Sequence, residues 1–171
     1  KDYNLMKKYY LMAIELGDAS AMNNLGWYYE SVEKDYDLMK KYYLMAIELN
    51  YATSMFNLGV HYQSVEKDYD LMKKYYFMGI ELGDVDAMKT LGWYYENVEK
   101  DYDLMKKYYF MAIELSDVTS MFNLGVHYQS VEKDYNLMKK YYFMAIELGD
   151  AGAMDNLKRA ISDIELYVLL S

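Results

Sequence analysis

The sequence predicts an all-α fold, a right-handed α/α superhelical solenoid of about five helical hairpins of 33 residues each. Three observations carry this reading. Lys-Asp-Tyr begins at Lys1, Lys34, Lys67, Lys100 and Lys133, a strict 33-residue period. A second phrase falls between these starts, AMNNLGWYYE from Ala21, SMFNLGVHYQ from Ser54, AMKTLGWYYE from Ala87 and SMFNLGVHYQ again from Ser120. The 171 residues hold no Pro and nine Gly, which suits helices joined by short turns. Self-similarity at this spacing marks units that bury their apolar faces by stacking on one another. The second phrase alternates between two forms, so a 66-residue superperiod lies on the 33-residue one.

The elements follow in order. Residues 1–17 read as a starting helix of the second type in the hairpin, helix B, with no helix before it. Lys1 opens inside a repeat without an initiator Met, which suggests a section of a longer array. In the complete copy from Asp35, Asp35 is a fitting N-cap, and Asp37 places negative charge where the helix dipole favours it. Leu38, Tyr42, Met45 and Leu49 fall at i, i+4, i+7 and i+11, with Met39, Tyr43 and Ala46 on the adjoining stripe. Together they form a broad apolar face and leave Lys40, Lys41 and Glu48 toward water. The Tyr-Tyr and Met stripes read as core, and the Lys-Lys pairs as a solvated face with weak local ion pairs.

Helix B stops at Gly17, Asn50, Gly83, Ser116 and Gly149, where Gly and Asn tolerate the left-handed C′ conformation. Asp18, Asp84, Asp117 and Asp150 then cap the next helix, whereas Tyr51 cannot cap in that way. Helix A carries Ala21, Leu25 and Tyr29 at i, i+4 and i+8. Gly26, Gly59, Gly92 and Gly125 sit inside it at a cost of roughly 1 kcal/mol each relative to Ala. A cost repeated four times points to close helix packing. Helix A is expected to end near Glu30, with residues 31–34 turning into the next helix B. Residues 18–150 thus form four full hairpins. Residues 151–171 form a C-terminal capping helix, in which Lys158 replaces the packing Gly and Ile161 the Tyr. Leu166, Leu169 and Leu170 leave apolar surface near its end. The whole chain, 1–171, reads as a single solenoid domain.

Composition and spacing narrow the function. A net charge of -9 argues against a nucleic-acid partner, because that binding rests on Lys and Arg displacing counterions. No apolar run approaches the ~20 residues of a membrane span. With no Cys, disulfides, thiolate zinc sites and catalytic thiols are excluded. His61 and His127, 66 residues apart, are too distant for one metal and read as helix-face residues. No Ser-His-Asp arrangement, phosphate loop or metal spacing occurs, and the carboxylates repeat identically in each unit. The expectation is therefore no catalytic residue, no cofactor and no metal.

One stripe of helix A varies while the packing positions stay fixed. It carries Asn23, Phe56, Lys89, Phe122 and Asp155, then, one turn on, Trp27, Val60, Trp93, Val126 and Arg159. A third position holds Glu30, Gln63, Glu96 and Gln129. Asn24, Asn57, Asn123 and Asn156 lie beside the stripe. Such a ladder suits a peptide or a partner helix. The competing reading is that the Asn side chains satisfy neighbouring groups and Trp27 packs between hairpins.

These phrases resemble the Sel-1-like repeat family, a relative of tetratricopeptide repeats. Its pattern is roughly A-x-A-x-x-x-L-G-x-x-Y, a short turn, then D-Y-x-x-A-x-x-W/Y-Y-x-x-A-A-x-x-G. Ala19, Ala21, Leu25, Gly26 and Tyr29 match the first half. Asp35, Tyr36, Tyr42, Tyr43 and Ala46 match the second, with Asn50 at the closing Gly. Met39 and its equivalents Met6, Met72, Met105 and Met138 replace a small residue, and Ile47 replaces the second Ala. The turn is about three residues shorter and lacks Gly-x-Gly, keeping Val32. The Met- and Tyr-rich flavour is similar to repeat proteins of giant DNA viruses. The resemblance implies that helices A line a concave face, where inner Asn side chains meet an extended backbone.

The resulting expectation is a non-enzymatic, cytoplasmic interaction scaffold with a protein or peptide partner, no nucleic acid and no membrane. The alternative is an assembly module that self-associates through its ends or convex face, including a homo-oligomer through the C-terminal helix.

Overall fold

The computed structural model describes residues 2–170, with side chains described through residue 162. Among the described residues there are ten α-helices and no strand, arranged as repeating hairpins of an all-α solenoid. The B-type helices are α1 (Tyr3–Glu15), α3 (Tyr36–Glu48), α5 (Tyr69–Glu81), α7 (Tyr102–Glu114) and α9 (Tyr135–Glu147). The A-type helices are α2 (Ala19–Tyr28), α4 (Ala52–His61), α6 (Val85–Tyr94), α8 (Val118–His127) and α10 (Ala151–Leu170). Two compact units divide the chain, Lys1–Ala87 and Met88–Ser171.

The caps form where the chemistry demands them. Asp35 Oδ1 accepts from the Leu38 N–H at 3.0 Å, and Asp68, Asp101 and Asp134 repeat the bond on α5, α7 and α9. Asp18, Asp84, Asp117 and Asp150 cap α2, α6, α8 and α10 in the same manner. Tyr51 offers no side-chain cap, and its backbone carbonyl takes the Ser54 N–H at 3.0 Å instead. Each B-type helix ends in a left-handed residue, with φ of 82° at Gly17, 57° at Asn50, 80° at Gly83, 65° at Ser116 and 92° at Gly149.

Helix A does not stop near Glu30. Its last turn widens into a π-helical turn at Tyr29–Glu33, and again at Tyr62–Glu66, Tyr95–Glu99 and Tyr128–Glu132. Lys34, Lys67, Lys100 and Lys133 follow it with φ of 57–59°. The extra backbone between carbonyl and amide brings residues five apart together. The Tyr28 hydroxyl accordingly donates to Glu33 at 2.8 Å.

In the first unit, Leu25, Tyr28 and Tyr42 form a buried cluster with Met6, Tyr10, Ile14, Tyr29, Leu38 and Met45 against it. Met39, Tyr43, Leu58, Met72 and Tyr76 are fully buried. The second unit buries Leu91, Met105, Tyr109, Leu124, Met138 and Tyr142 as completely, and Ala153, Leu157 and Ala160 seat α10. The Tyr-Tyr and Met stripes are thus core in α3, α5, α7 and α9. Leu49 lies outside that face, half exposed at the helix end.

The glycines inside helix A explain the closeness of the layers. A Cβ on Gly26 would stand 2.7 Å from the Tyr43 ring, and one on Gly125 would stand 2.5 Å from Tyr142. The first Lys of three Lys-Lys pairs finds a partner beyond its own helix. Lys7 reaches Glu33 at 2.7 Å, Lys106 reaches Glu132 at 2.9 Å, and Lys40 pairs with Glu66. Each pair ties a helix B to the π turn one hairpin on. The expected apolar surface at Leu166, Leu169 and Leu170 lies outside the residues whose side chains are described.

Candidate interaction surface

Helix A leaves two indoles outside the core. Trp27 is 56% exposed in the first unit and Trp93 47% in the second. Gly26 and Gly92 immediately before them face the core, so the next side chain, about 100° around the helix, points away from it. Asn24, also exposed, lies three residues before Trp27 and shares its face.

The remaining predicted positions divide among exposed, half-buried and internally bonded side chains. In the first unit Asn23 is buried, and its Oδ1 accepts from Ser54 Oγ and Asn57 Nδ2, both at 3.0 Å. Phe56 is half-buried, stacked against Tyr76 with ring centroids 5.7 Å apart. Val60 is half-buried. In the second unit Phe122 packs on Tyr142 at 6.0 Å, and Asn123 donates to the Tyr109 hydroxyl at 3.3 Å. Lys89 and Val126 are half-buried, while Asp155 and Arg159 are exposed. Asn156 donates to the Tyr142 hydroxyl at 3.5 Å. Of the asparagines, Asn23, Asn57, Asn123 and Asn156 therefore hold hairpins together, and Asn24 faces solvent.

The third position of the stripe is also committed. Glu30 and Glu96 each accept from a buried tyrosine, Tyr43 and Tyr109, at 3.0 Å. Gln63 and Gln129 accept from Tyr76 and Tyr142 at 2.7 Å. Burial, aided by the carboxylate, pushes the Tyr43 and Tyr109 hydroxyls well above the ordinary phenol range. They stay protonated and act as donors.

His61 and His127 lie on a helix face that is completely buried. His61 Nδ1 is 3.0 Å from Glu30 of the preceding hairpin, and Nε2 is 3.2 Å from Glu66 of its own π turn. His127 repeats this with Glu96 at 3.3 Å, short of hydrogen-bond alignment, and Glu132 at 3.2 Å. Sequence reasoning missed this network, although one signal was present. Glu at the third stripe position precedes His by 31 residues in both superperiods.

A second exposed set runs along the helices B, with Leu44 and Phe77 in the first unit and Phe110 and Phe143 in the second. Among the described residues, no helix is long and apolar enough to cross a membrane.

Solved structures give this architecture a name. A Sel1 repeat protein from Oxalobacter formigenes is 29% identical, with a TM-score of 0.70 over 85% of this chain. The chain shares the Sel1-repeat fold. The c5321 protein, a protective antigen of uropathogenic Escherichia coli displaying an SLR fold, is 22% identical with a TM-score of 0.74 over 90% of the chain. The immunity protein Pa5087 from Pseudomonas aeruginosa is 25% identical with a TM-score of 0.59 over 86%. This chain spans 64%, 36% and 59% of those three proteins. No family model and no curated protein matches it. The Sel1-repeat fold is generally a protein–protein interaction scaffold.

Proposed function

We propose that this chain is a non-enzymatic interaction scaffold that holds a peptide or partner helix on its A-type helices, with Trp27 the anchor in the first unit and Trp93 the anchor in the second. The observation that supports this most is the exposure of both indoles in a repeat whose other helix A aromatics are largely packed. Trp is the residue most enriched among those that dominate binding energy. Asn24 beside Trp27 supplies an amide for a partner's backbone, and Phe56, Val60, Phe122 and Val126 supply half-buried apolar edges. Asn23, Asn57 and Asn123 act through the shape of the surface, since their side chains bond to neighbours. Lys89 adds a cation at the matching position of the second unit.

The test is capture of partners from the source cell by the parent chain and by Trp27→Ala and Trp93→Ala variants. Loss of a hot-spot indole costs about 2 kcal/mol or more, roughly a thirtyfold weaker complex. Undiminished binding by the doubly substituted chain rejects this surface. Self-association is a second reading, favoured by the repeated exposed positions Leu44, Phe77, Phe110 and Phe143. Light scattering across a concentration series decides it, and a constant monomer mass rejects it.

A further inference from the structure

The Glu30–His61 and Glu96–His127 contacts sit where consecutive hairpins meet within each unit. In the first unit Glu30 holds Tyr43 with Oε2 and His61 with Oε1. Gln63, one hairpin on, spends its carbonyl oxygen on Tyr76, and its other terminal atom is an amide nitrogen that donates, not a carboxylate oxygen that accepts. The residue 31 positions after a Glu is His61 or His127, and 31 positions after Gln63 it is Tyr94. Duplication of a 66-residue unit would copy any such pairing, so the contacts carry the argument and the recurrence does not. An amide N–H in place of the Glu30 oxygen would force Nδ1 into the accepting role, so the ring would lose one of the two carboxylate contacts it makes with Glu30 and Glu66, and a bond lost at a buried ring is costly.

We propose that the Glu30–His61 and Glu96–His127 contacts form a neighbour-selecting code, in which a carboxylate hairpin accepts a histidine hairpin next and disfavours a tyrosine one. The groups around each imidazole fit that role. His61 faces Glu30 from the preceding π turn and Glu66 from its own, with the Tyr36 and Tyr62 rings at 4.9 and 6.1 Å. Lys40 holds Glu66 in place, and Tyr43 holds Glu30. Tyr28 donates to the glutamate five residues on, and a tyrosine in place of His61 would in the same way donate to Glu66 and leave the Glu30 Oε1 without its partner. In an array whose hairpins are nearly identical, hydrophobic packing alone distinguishes neighbours poorly. A buried polar mismatch supplies the discrimination.

A double-substitution cycle in the full chain tests this. Glu30→Gln and His61→Tyr are made separately and together, and thermal midpoints are compared. Each single change creates a mismatched pair and is expected to lower the midpoint by about 3 °C or more, the scale of 1 kcal/mol in a chain of this length. The double variant rebuilds a Gln/Tyr pair and is expected to recover at least half of the summed loss. Additive losses overturn the proposal. A single variant that fails to fold is read by whether the second change restores folding, with no restoration counting against it. Glu96→Gln with His127→Tyr repeats the cycle in the second unit, and additivity there overturns the proposal for that pair.

Discussion

The tyrosine lying flat on a helical glycine sets the tightest tolerance in each hairpin. Tyr43 on Gly26 and Tyr142 on Gly125 leave no room for a methyl group, because the rings are fully buried and held at the hydroxyl by Glu30 and Gln129. Gly79 offers the opposite case. It sits inside α5 at the position occupied by Ala46, Ala112 and Ala145. A Cβ there would meet Asp84, Ala87 and Met55 carbons at 3.4, 3.6 and 3.8 Å, ordinary contacts. The same substitution should therefore change sign between the two sites. Gly26→Ala gains at most about 1 kcal/mol of helix propensity and loses about 1–3 to overpacking, so its thermal midpoint falls. Gly79→Ala keeps most of the propensity gain, and its midpoint rises by roughly 2–4 °C. A fall at both sites would mean that the space beside Gly79 is not available to a methyl group.

Helices B and π turns form the next level, and here electrostatics couples an element to the hairpin after it. The hydrogen bond from Lys40 to Glu66 holds that carboxyl below the usual carboxylate range, and Lys106 does the same for Glu132. A carboxyl with a lowered folded pKa adds stability above its unfolded value of about 4.3, and that stability is lost as pH falls through the folded value. Thermal midpoints measured from neutral pH downward should therefore begin to drop near pH 4.5. Lys40→Met with Lys106→Met should flatten that drop while lowering the neutral plateau only slightly, since such part-exposed pairs are individually weak. An unchanged acid slope would assign the acid sensitivity to other groups.

Much of this level was legible in the sequence. The Asp caps, the left-handed ends and the buried Tyr-Tyr stripe follow from local chemistry. The π turns do not, because a 3.6-residue period has no place for the five-residue contact between Tyr28 and Glu33. The surface was half legible for a related reason. Asn24 and Asn57 occupy equivalent positions, but Asn57 is drawn inward by Asn23, a residue 34 positions away that no local window contains.

At the scale of the whole chain, the side-chain bonds described here span at most 34 residues, so stability is expected to be a sum over hairpins and their nearest neighbours. If neighbour choice is coded by Glu30 and His61, the cost of removing a hairpin depends on which hairpins become adjacent. Deleting residues 34–66 joins Glu33 to Lys67 in phase and makes Tyr94, not His61, the residue that follows Glu30 by 31 positions. Deleting residues 34–99 removes a full superperiod and brings His127 to that place. Glu30→Gln then has a sign that depends on its neighbour. It lowers the midpoint in the full chain and in the 34–99 deletion, where a histidine follows. It raises the midpoint in the 34–66 deletion, where a tyrosine follows. Hydrophobic packing and helix propensity are the same for Glu and Gln within a few tenths of a kcal/mol, so neither reverses a sign. Thermal unfolding of the three chains with and without the substitution decides the matter. A shift of one sign in all three would make the Glu30–His61 contact a local stabiliser with no part in selecting neighbours.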